Sequence, residues 1–259
     1  MTLKEKYGGW ALITGASAGI GEEFAKRFAS EKMNLVLVAR RKERLDKLAA
    51  DLKSKHGVEI VTVQADLADE KFLTGITNVT FEKEISILVN NAGFGYNGEF
   101  VNSDLRNQTD IIKVNCIAPV VLTHHFLKGM IERKNGAVIF LGSLVGYQPT
   151  PFTTVYSSTK AFNLFMGEAL WYELRRHNID VLVLNPGGTS TEFQKIAGTS
   201  AGPAPRNVSQ VVDTAMKHLG KKMSVVDGAM NKIISAMPRI MTRKFTVRIA
   251  GTIRKKYFT

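Results

Sequence analysis

Seven short apolar runs, separated by longer amphipathic stretches, constrain this 259-residue chain more than any other feature. The runs are "WALIT" (10–14), "NLVLVA" (34–39), "EIVTVQA" (59–65), "SILVNNAG" (86–93), "GAVIFLGS" (136–143), "DVLVLNPG" (180–187) and "MSVV" (223–226). They are apolar almost throughout rather than alternating, as expected of strands covered on both faces. Helices are expected near 20–31 and 41–56, within 103–133 and 153–176, and near 207–219. Residues 66–84 read as a less regular stretch. Strands alternating with helices predict βαβ units with right-handed crossovers. The expected fold is therefore α/β: a doubly wound, mainly parallel, Rossmann-like sheet in a single domain, which the length suits.

The stretch "WALITGASAGIGEEFAKRFA" (10–29) joins the first strand to the first helix of this pattern. Gly15-Ala16-Ser17-Ala18-Gly19 fits the G-x-S-x-G elbow of a serine hydrolase, and with Gly21 it also fits a turn that cradles phosphate. The elbow fails on context. An elbow serine follows earlier strands, one of which leads to an oxyanion-hole loop, whereas Ser17 follows the first strand. The five histidines (His56, His124, His125, His177, His218) lie within or beside expected helices, where a triad base does not sit. The turn reading holds because a helix N-terminus offers unpaired N–H groups and partial positive charge, and glycines let an anion come close.

Composition excludes other classes. Cys116 is the only cysteine, so no intramolecular disulfide and no cysteine metal cluster is possible, which suits a reducing compartment. The N-terminus "MTLKEKYGGW" lacks an apolar core and does not read as a secretory signal. No run of about 18 apolar residues suggests a membrane span. No metal and no nucleic acid is expected, and the setting reads as cytoplasmic, with peripheral membrane contact as an option.

Further motifs accompany the turn. Thr14, Gly15, Gly19 and Gly21 make a T-G-x-x-x-G-x-G pattern, and Asn90-Asn91-Ala92-Gly93 ends the fourth strand. Asn115 lies mid-helix in "KVNCIAP", Ser143 ends the fifth strand, Tyr156-x3-Lys160 follows, and Pro186-Gly187 ends the sixth strand. On these residues the sequence resembles the short-chain dehydrogenase/reductase family over about residues 8–230. A 1–230 dinucleotide-binding and catalytic domain and a basic amphipathic extension over 231–259 are expected.

Tyr156 and Lys160 are four apart on a helix and share a face. A lone tyrosine, with pKa about 10, is a poor base at neutral pH, and a nearby ammonium moves it toward working pH. In a reduction Tyr156 gives a proton to the carbonyl oxygen as hydride reaches carbon, and Ser143 hydrogen-bonds that oxygen. The resemblance implies that Lys160 also contacts the nicotinamide ribose and that Asn115 holds a water in a proton relay. It implies that Ser17, Ala18 and Ile20 belong to the cofactor turn and that Asp66 and Leu67 flank the adenine. It puts Asn91, Ala92 and Gly93 at the ribose region, and Pro186, Gly187, Thr189 and Thr191 around the nicotinamide. NAD sites carry an acid about 20 residues beyond the turn. Here the second strand instead ends in Arg40-Arg41, which suits the 2′-phosphate of NADP.

The substrate is read as an apolar carbonyl or alcohol, shaped by "GFGYNGEF" (93–100) and the loop 187–207. Relatives pair through the helices near 103–133 and 153–176, so a homo-oligomer is expected. The charge of +12 is uneven: from Lys217 onward eleven Lys or Arg meet one acid, Asp227. In "AMPRIMTRKF", Met237, Ile240, Met241 and Phe245 share a helical face opposite Arg239 and Arg243, as in an interfacial or docked helix. The alternative function is a non-catalytic NADP-holding scaffold that uses this tail to reach a membrane or partner.

Overall fold

A computed structural model describes residues 2–198 and 205–255. The centre of the 187–207 loop and the last four residues of the basic extension lie outside the described residues. The elements in chain order are α1 (Leu3–Tyr7), β1 (Trp10–Thr14), α2 (Gly19–Ser30), β2 (Asn34–Ala39), α3 (Lys42–His56) and β3 (Ile60–Gln64). Then come α4 (Phe72–Thr80), β4 (Ile85–Asn90), α5 (Leu105–Ile112), α6 (Ala118–Arg133), β5 (Gly136–Leu141) and α7 (Thr154–Leu174). The chain continues through β6 (Ile179–Asn185), α8 (Phe193–Ala197), α9 (Val208–His218), β7 (Ser224–Val226), α10 (Ala229–Ala236) and α11 (Arg243–Lys255).

The seven strands form one parallel sheet in the order β3-β2-β1-β4-β5-β6-β7. Successive side chains of a strand point to opposite faces, so an all-apolar strand feeds two cores. Ala11 and Ile13 of β1 join one core and Leu12 the other; Leu35 and Leu37 of β2 oppose Val36 and Val38. One face is closed by α2, α3 and α9 through Phe24, Phe28, Leu45 and Val211. The other is closed by α4, α6 and α7 through Ile76, Leu122, Met130 and Leu164. The strand order reverses between β1 and β4, and ligands of open α/β sheets bind at such a switch point, beyond the carboxyl ends of the strands.

The structure differs from the sequence reading in four places. The stretch 66–84 contains α4, and the N-terminal ten residues contain α1, closed by a capping box between Thr2 and Glu5. The long helix within 103–133 is broken into α5 and α6 by a π-helical turn over Lys113–Ile117. Together these make a 29-residue stretch apolar enough by composition to cross a bilayer, but it packs on β4 and β5 and is more than half buried. The single helical face expected around Met237 is absent. A 3-10 turn over Met237–Arg239 carries Pro238, which has no N–H to continue a helix, and α11 starts afresh behind Thr242, whose hydroxyl accepts from Phe245 N at 3.4 Å.

The 187–207 loop is fastened at its base. Thr189 and Arg206 form a parallel bridge, and the Arg206 guanidinium donates to both oxygens of the fully buried Asp227 at 2.6 and 3.1 Å. Thr214 Oγ1 donates to the same carboxylate at 2.6 Å. Removing one member of a buried pair leaves a desolvated charge. Arg206 is itself about one-third exposed, which reduces the effect. Arg206→Ala is expected to cost about 2 kcal/mol and to lower Tm by about 5 °C. An unchanged melting curve would show that the pair does not hold the loop.

Candidate active site

A cavity of about 480 Å3 opens at the switch point. Its lining runs from Arg40, Asp66 and Leu67, past the glycine turn, to Tyr156 and Lys160, with Gly187, Thr189 and Thr191 along its edge.

The turn between β1 and α2 is shaped by backbone requirements. Gly15 and Gly19 hold φ of +66° and +60°, a region that L side chains rarely adopt. A Cβ on Gly21 would collide with Gly15 O and Asn91 Nδ2. The N-cap of α2 is Ala18, which offers no side-chain cap, so the first N–H groups of this 12-residue helix have no capping side chain. A phosphate group fits that need, and the cavity lined by Gly15, Ala18, Gly19 and Ile20 opens beside that helix end.

The expected cofactor residues divide into those that face the cavity and those that build it. Thr14 is buried and accepts from Asn91 N and Ala92 N, both at 3.0 Å, while its own hydroxyl donates to Val89 O at 3.2 Å. Asn91 Nδ2 donates to Thr14 O at 2.8 Å. These two residues lock the ends of β1 and β4 together and so set the turn's position. Gly15, Ala18, Gly19, Ile20, Ala92 and Gly93 line the space, as do Pro186 and Gly187. Ser17 is on the turn but not in the cavity wall; its hydroxyl accepts from Arg41 Nε at 3.2 Å. Arg40, two-thirds exposed, stands 3.9 Å from Asp66. Arg41 is more engaged, donating to Glu192 at 2.6 Å, and Arg44 reaches the same carboxylate at 2.8 Å. The two guanidinium groups hold the Glu192 carboxyl down at about 2.

At the other end, Ser143 caps the turn after β5 and Tyr156 projects from the first turn of α7. Both line the cavity, and the Ser143 hydroxyl draws the Tyr156 phenol downward. The Tyr156 ring lies 5.3 Å from Phe193, centroid to centroid, and a Cβ on Gly95 would press it at 2.9 Å. Lys160 is buried, sits 5.7 Å from the Tyr156 ring centroid and donates to Leu141 O at 2.7 Å. Asn115 lies in the π-helical turn and is fully buried. Its amide accepts from Phe94 N at 3.1 Å and donates to Phe94 O and to Thr159 Oγ1, each at 3.0 Å. It thereby braces the loop after β4 against α7.

The electrostatics correct one expectation. Tyr156 is not drawn toward neutral pH: burial pushes its phenol up to about 12, against weaker opposing pulls from the Ser143 hydroxyl and the Arg254 charge. Burial also brings Lys160 down to about 8, against a weaker opposing pull from Cys116. Desolvation exceeds the local charge effects in both groups.

The sequence reading missed Glu192, Phe193 and Arg254. The first two sit in a loop with no periodicity to interpret, and Arg254 is one of several basic residues in the extension. Among the described residues no group of three His, Cys, Asp or Glu is placed to hold a metal.

The model of the short chain dehydrogenase family matches residues 9–201, three-quarters of the chain. The chain belongs to the short-chain dehydrogenase family. It is 36% identical over 237 residues to a very-long-chain 3-oxoacyl-CoA reductase of Phaeosphaeria nodorum, an alignment covering 89% of this chain and 68% of that one. Among solved structures, one concerned with 7beta-hydroxysteroid dehydrogenase stereoselectivity superposes with a TM-score of 0.89 at 29% identity, covering 96% of this chain and 99% of the other. A short-chain dehydrogenase from Sphingobium yanoikuyae in complex with NADPH superposes at 0.78 with 33% identity, covering 90% and 95%. This short-chain dehydrogenase is thus similar to oxidoreductases whose names span acyl thioesters and steroids.

Proposed function

We propose that the chain is an NADP-dependent oxidoreductase that interconverts a carbonyl and a secondary alcohol, with Tyr156 as the proton donor and acceptor. The observation that carries this is the Ser143–Tyr156 hydroxyl pair at one end of a cavity that passes the uncapped α2 N-terminus and reaches Arg40. The nicotinamide supplies the hydride or takes it back. The chain's own residues do the rest. The Ser143 hydroxyl donates to the substrate oxygen and holds it beside the Tyr156 phenol, and the phenol delivers the proton as negative charge builds there. Lys160 and the Asn115 brace fix the helix and loop that carry the reacting side chains. Phe193 covers the Tyr156 ring and restricts water.

Arg40 would read the 2′-phosphate through charge-assisted hydrogen bonds. The NADPH complex of the Sphingobium yanoikuyae relative supports this preference. Arg40→Ala is expected to raise KM for NADPH by about 10–100-fold and to leave KM for NADH nearly unchanged. The test is oxidation of NADPH and NADH against 3-oxoacyl thioesters, ketosteroids and small aldehydes. A wild-type preference for NADH, or equal losses for both cofactors in the variant, sinks the NADP assignment.

Residues 1–230 form the cofactor and catalytic unit in this reading, and 231–259 the extension. Exposed Phe165 and Tyr172 on α7 and Leu105 on α5 support a homo-oligomer paired through those helices. Exposed Ile233, Ile240, Phe245 and Ile253 among the extension's Lys and Arg support peripheral contact with an anionic membrane from a cytoplasmic setting.

A further inference from the structure

A second cavity, of about 250 Å3, shares no described wall residue with the catalytic one. It lies at the edge of the sheet, where β7, α10 and the 3-10 turn Leu144–Tyr147 meet. Three of its wall residues are cations: Lys222, Lys232 and Arg239. Lys222 stands just before β7, in a turn that its own N–H closes on His218 O at 3.1 Å. Lys232, Ser235 and Arg239 are spaced three and four apart along α10 and the turn after it, so they share a face. Ser235 is buried, which turns that face inward.

The charges here do not cancel. Among the described residues no ion pair takes up Lys222, Lys232 or Arg239, and no carboxylate lines the cavity. The acid that approaches it is Glu168 of α7, which accepts from Ser224 Oγ, in the wall, at 2.5 Å. The Tyr147 phenol, also in the wall, is raised by burial and by the Glu168 charge, against weaker pulls from Ser224 and Arg239. It therefore stays neutral. Three cations against one carboxylate leave a surplus of about two positive charges, and like charges around one small cavity repel. An anion seated among them removes that cost. A phosphate monoester carries about −1.5 to −2 at pH 7 and offers three strong acceptor oxygens.

We propose that this cavity is a second binding site, for a phosphate monoester held by Lys222, Lys232 and Arg239. The Arg239 guanidinium meets two phosphate oxygens with paired hydrogen bonds, and the two ammonium groups act as point charges. The rim is apolar: Met223, Ile233, Met237 and Ile240 each adjoin a wall residue in the sequence and are exposed. A phosphate borne by a lipid and one borne by a soluble compound both meet these terms. The site is independent of the carbonyl reading, since none of these groups lines the catalytic cavity.

The test uses the full chain with NADPH present, so that the α2 N-terminus does not compete for phosphate. Calorimetry with glycerol 3-phosphate reads a soluble ligand. Co-sedimentation reads a lipid one, with phosphatidylcholine vesicles doped with phosphatidic acid or, to the same surface charge, with phosphatidylserine. Saturable binding of glycerol 3-phosphate with Kd of about 1 mM or tighter, or a clear preference for phosphatidic acid over phosphatidylserine, is expected. Arg239→Gln should weaken that binding or that preference by about tenfold or more, and Lys222→Gln with Lys232→Gln should do the same. All three side chains are exposed, so the substitutions spare the fold. Lys221→Gln, exposed beside the cavity but outside its wall, should change either readout by less than about twofold. Glycerol 3-phosphate bound without a phosphatidic acid preference identifies a soluble ligand, and a phosphatidic acid preference identifies a lipid. Either result upholds the site when Arg239→Gln removes it. Neither response in the wild type, a response that survives Arg239→Gln, or one lost equally in Lys221→Gln overturns the proposal.

Discussion

Tyr156→Phe is expected to lower carbonyl reduction by about a thousandfold while NADPH binding stays within about twofold. General acid catalysis by a positioned side chain contributes about 10²–10⁴ in rate. The substitution removes only the phenol oxygen: the ring keeps its contact with Phe193 and its close approach to Gly95, so the cavity keeps its shape. The wild-type pH profile carries the second half of the expectation. Burial pushes the Tyr156 phenol up to about 12, so the group remains protonated, and able to donate, throughout the neutral and mildly alkaline range. Reduction should not lose rate through this group as pH rises from 6 to about 9. Stopped-flow hydride transfer in the wild type and the variant checks the first point and a steady-state pH series the second. A Phe variant with more than about a tenth of wild-type turnover would remove Tyr156 from the chemistry.

Lys160→Met should stabilise the folded protein. Lys160 is 3% exposed, and burial brings its ammonium down to about 8 from 10.5. The folded state therefore disfavours the charged form at neutral pH, at a cost of about 3 kcal/mol. Methionine fills similar space without charge. Leu141 O then loses the hydrogen bond that Lys160 Nζ donates, which gives back about 1 kcal/mol. A net gain of about 2 kcal/mol is expected at pH 7. The sign follows from linkage. Below pH 8 the amine is protonated in folded and unfolded chains alike, and the cost is fully present. Between about 8 and 10.5 the folded chain has lost the proton and the unfolded chain retains it, so wild-type stability gains on the variant. The gap between the denaturation curves should thus close through that window. The Cys116 thiol, raised by burial, does not cancel in the difference: the Lys160 charge draws it down, and the variant lacks that charge. A variant less stable than wild type at pH 7 would show that Lys160 holds α7 in place more than its burial costs.

Much of the fold follows from local patterns. Each strand run is apolar at odd and even positions alike, and this is sufficient to require cover on both faces and hence a parallel sheet with crossover helices. The glycine turn was equally legible, since Gly15 and Gly19 need positive φ and Gly21 has no room for a Cβ. Tyr156 and Lys160 were brought together by helical spacing alone. The break at Met237–Arg239 was harder, because the apolar spacing around Pro238 imitates one amphipathic face while the missing N–H and the Thr242 cap divide the helix.

The sequence by itself determined the sheet, the turn at its switch point and the chemical groups on α7, because these depend on neighbours within a few residues. Only the tertiary structure decided the protonation of those groups, since desolvation depends on everything packed around a side chain. It also decided that Thr14 and Asn91 lock two strands together and that Asn115 braces Phe94. Arg254 joins Tyr156 in one cavity for the same reason: closing a long loop costs entropy that grows only slowly with chain length, so packing of α11 against Pro151, far away in sequence, can place it there.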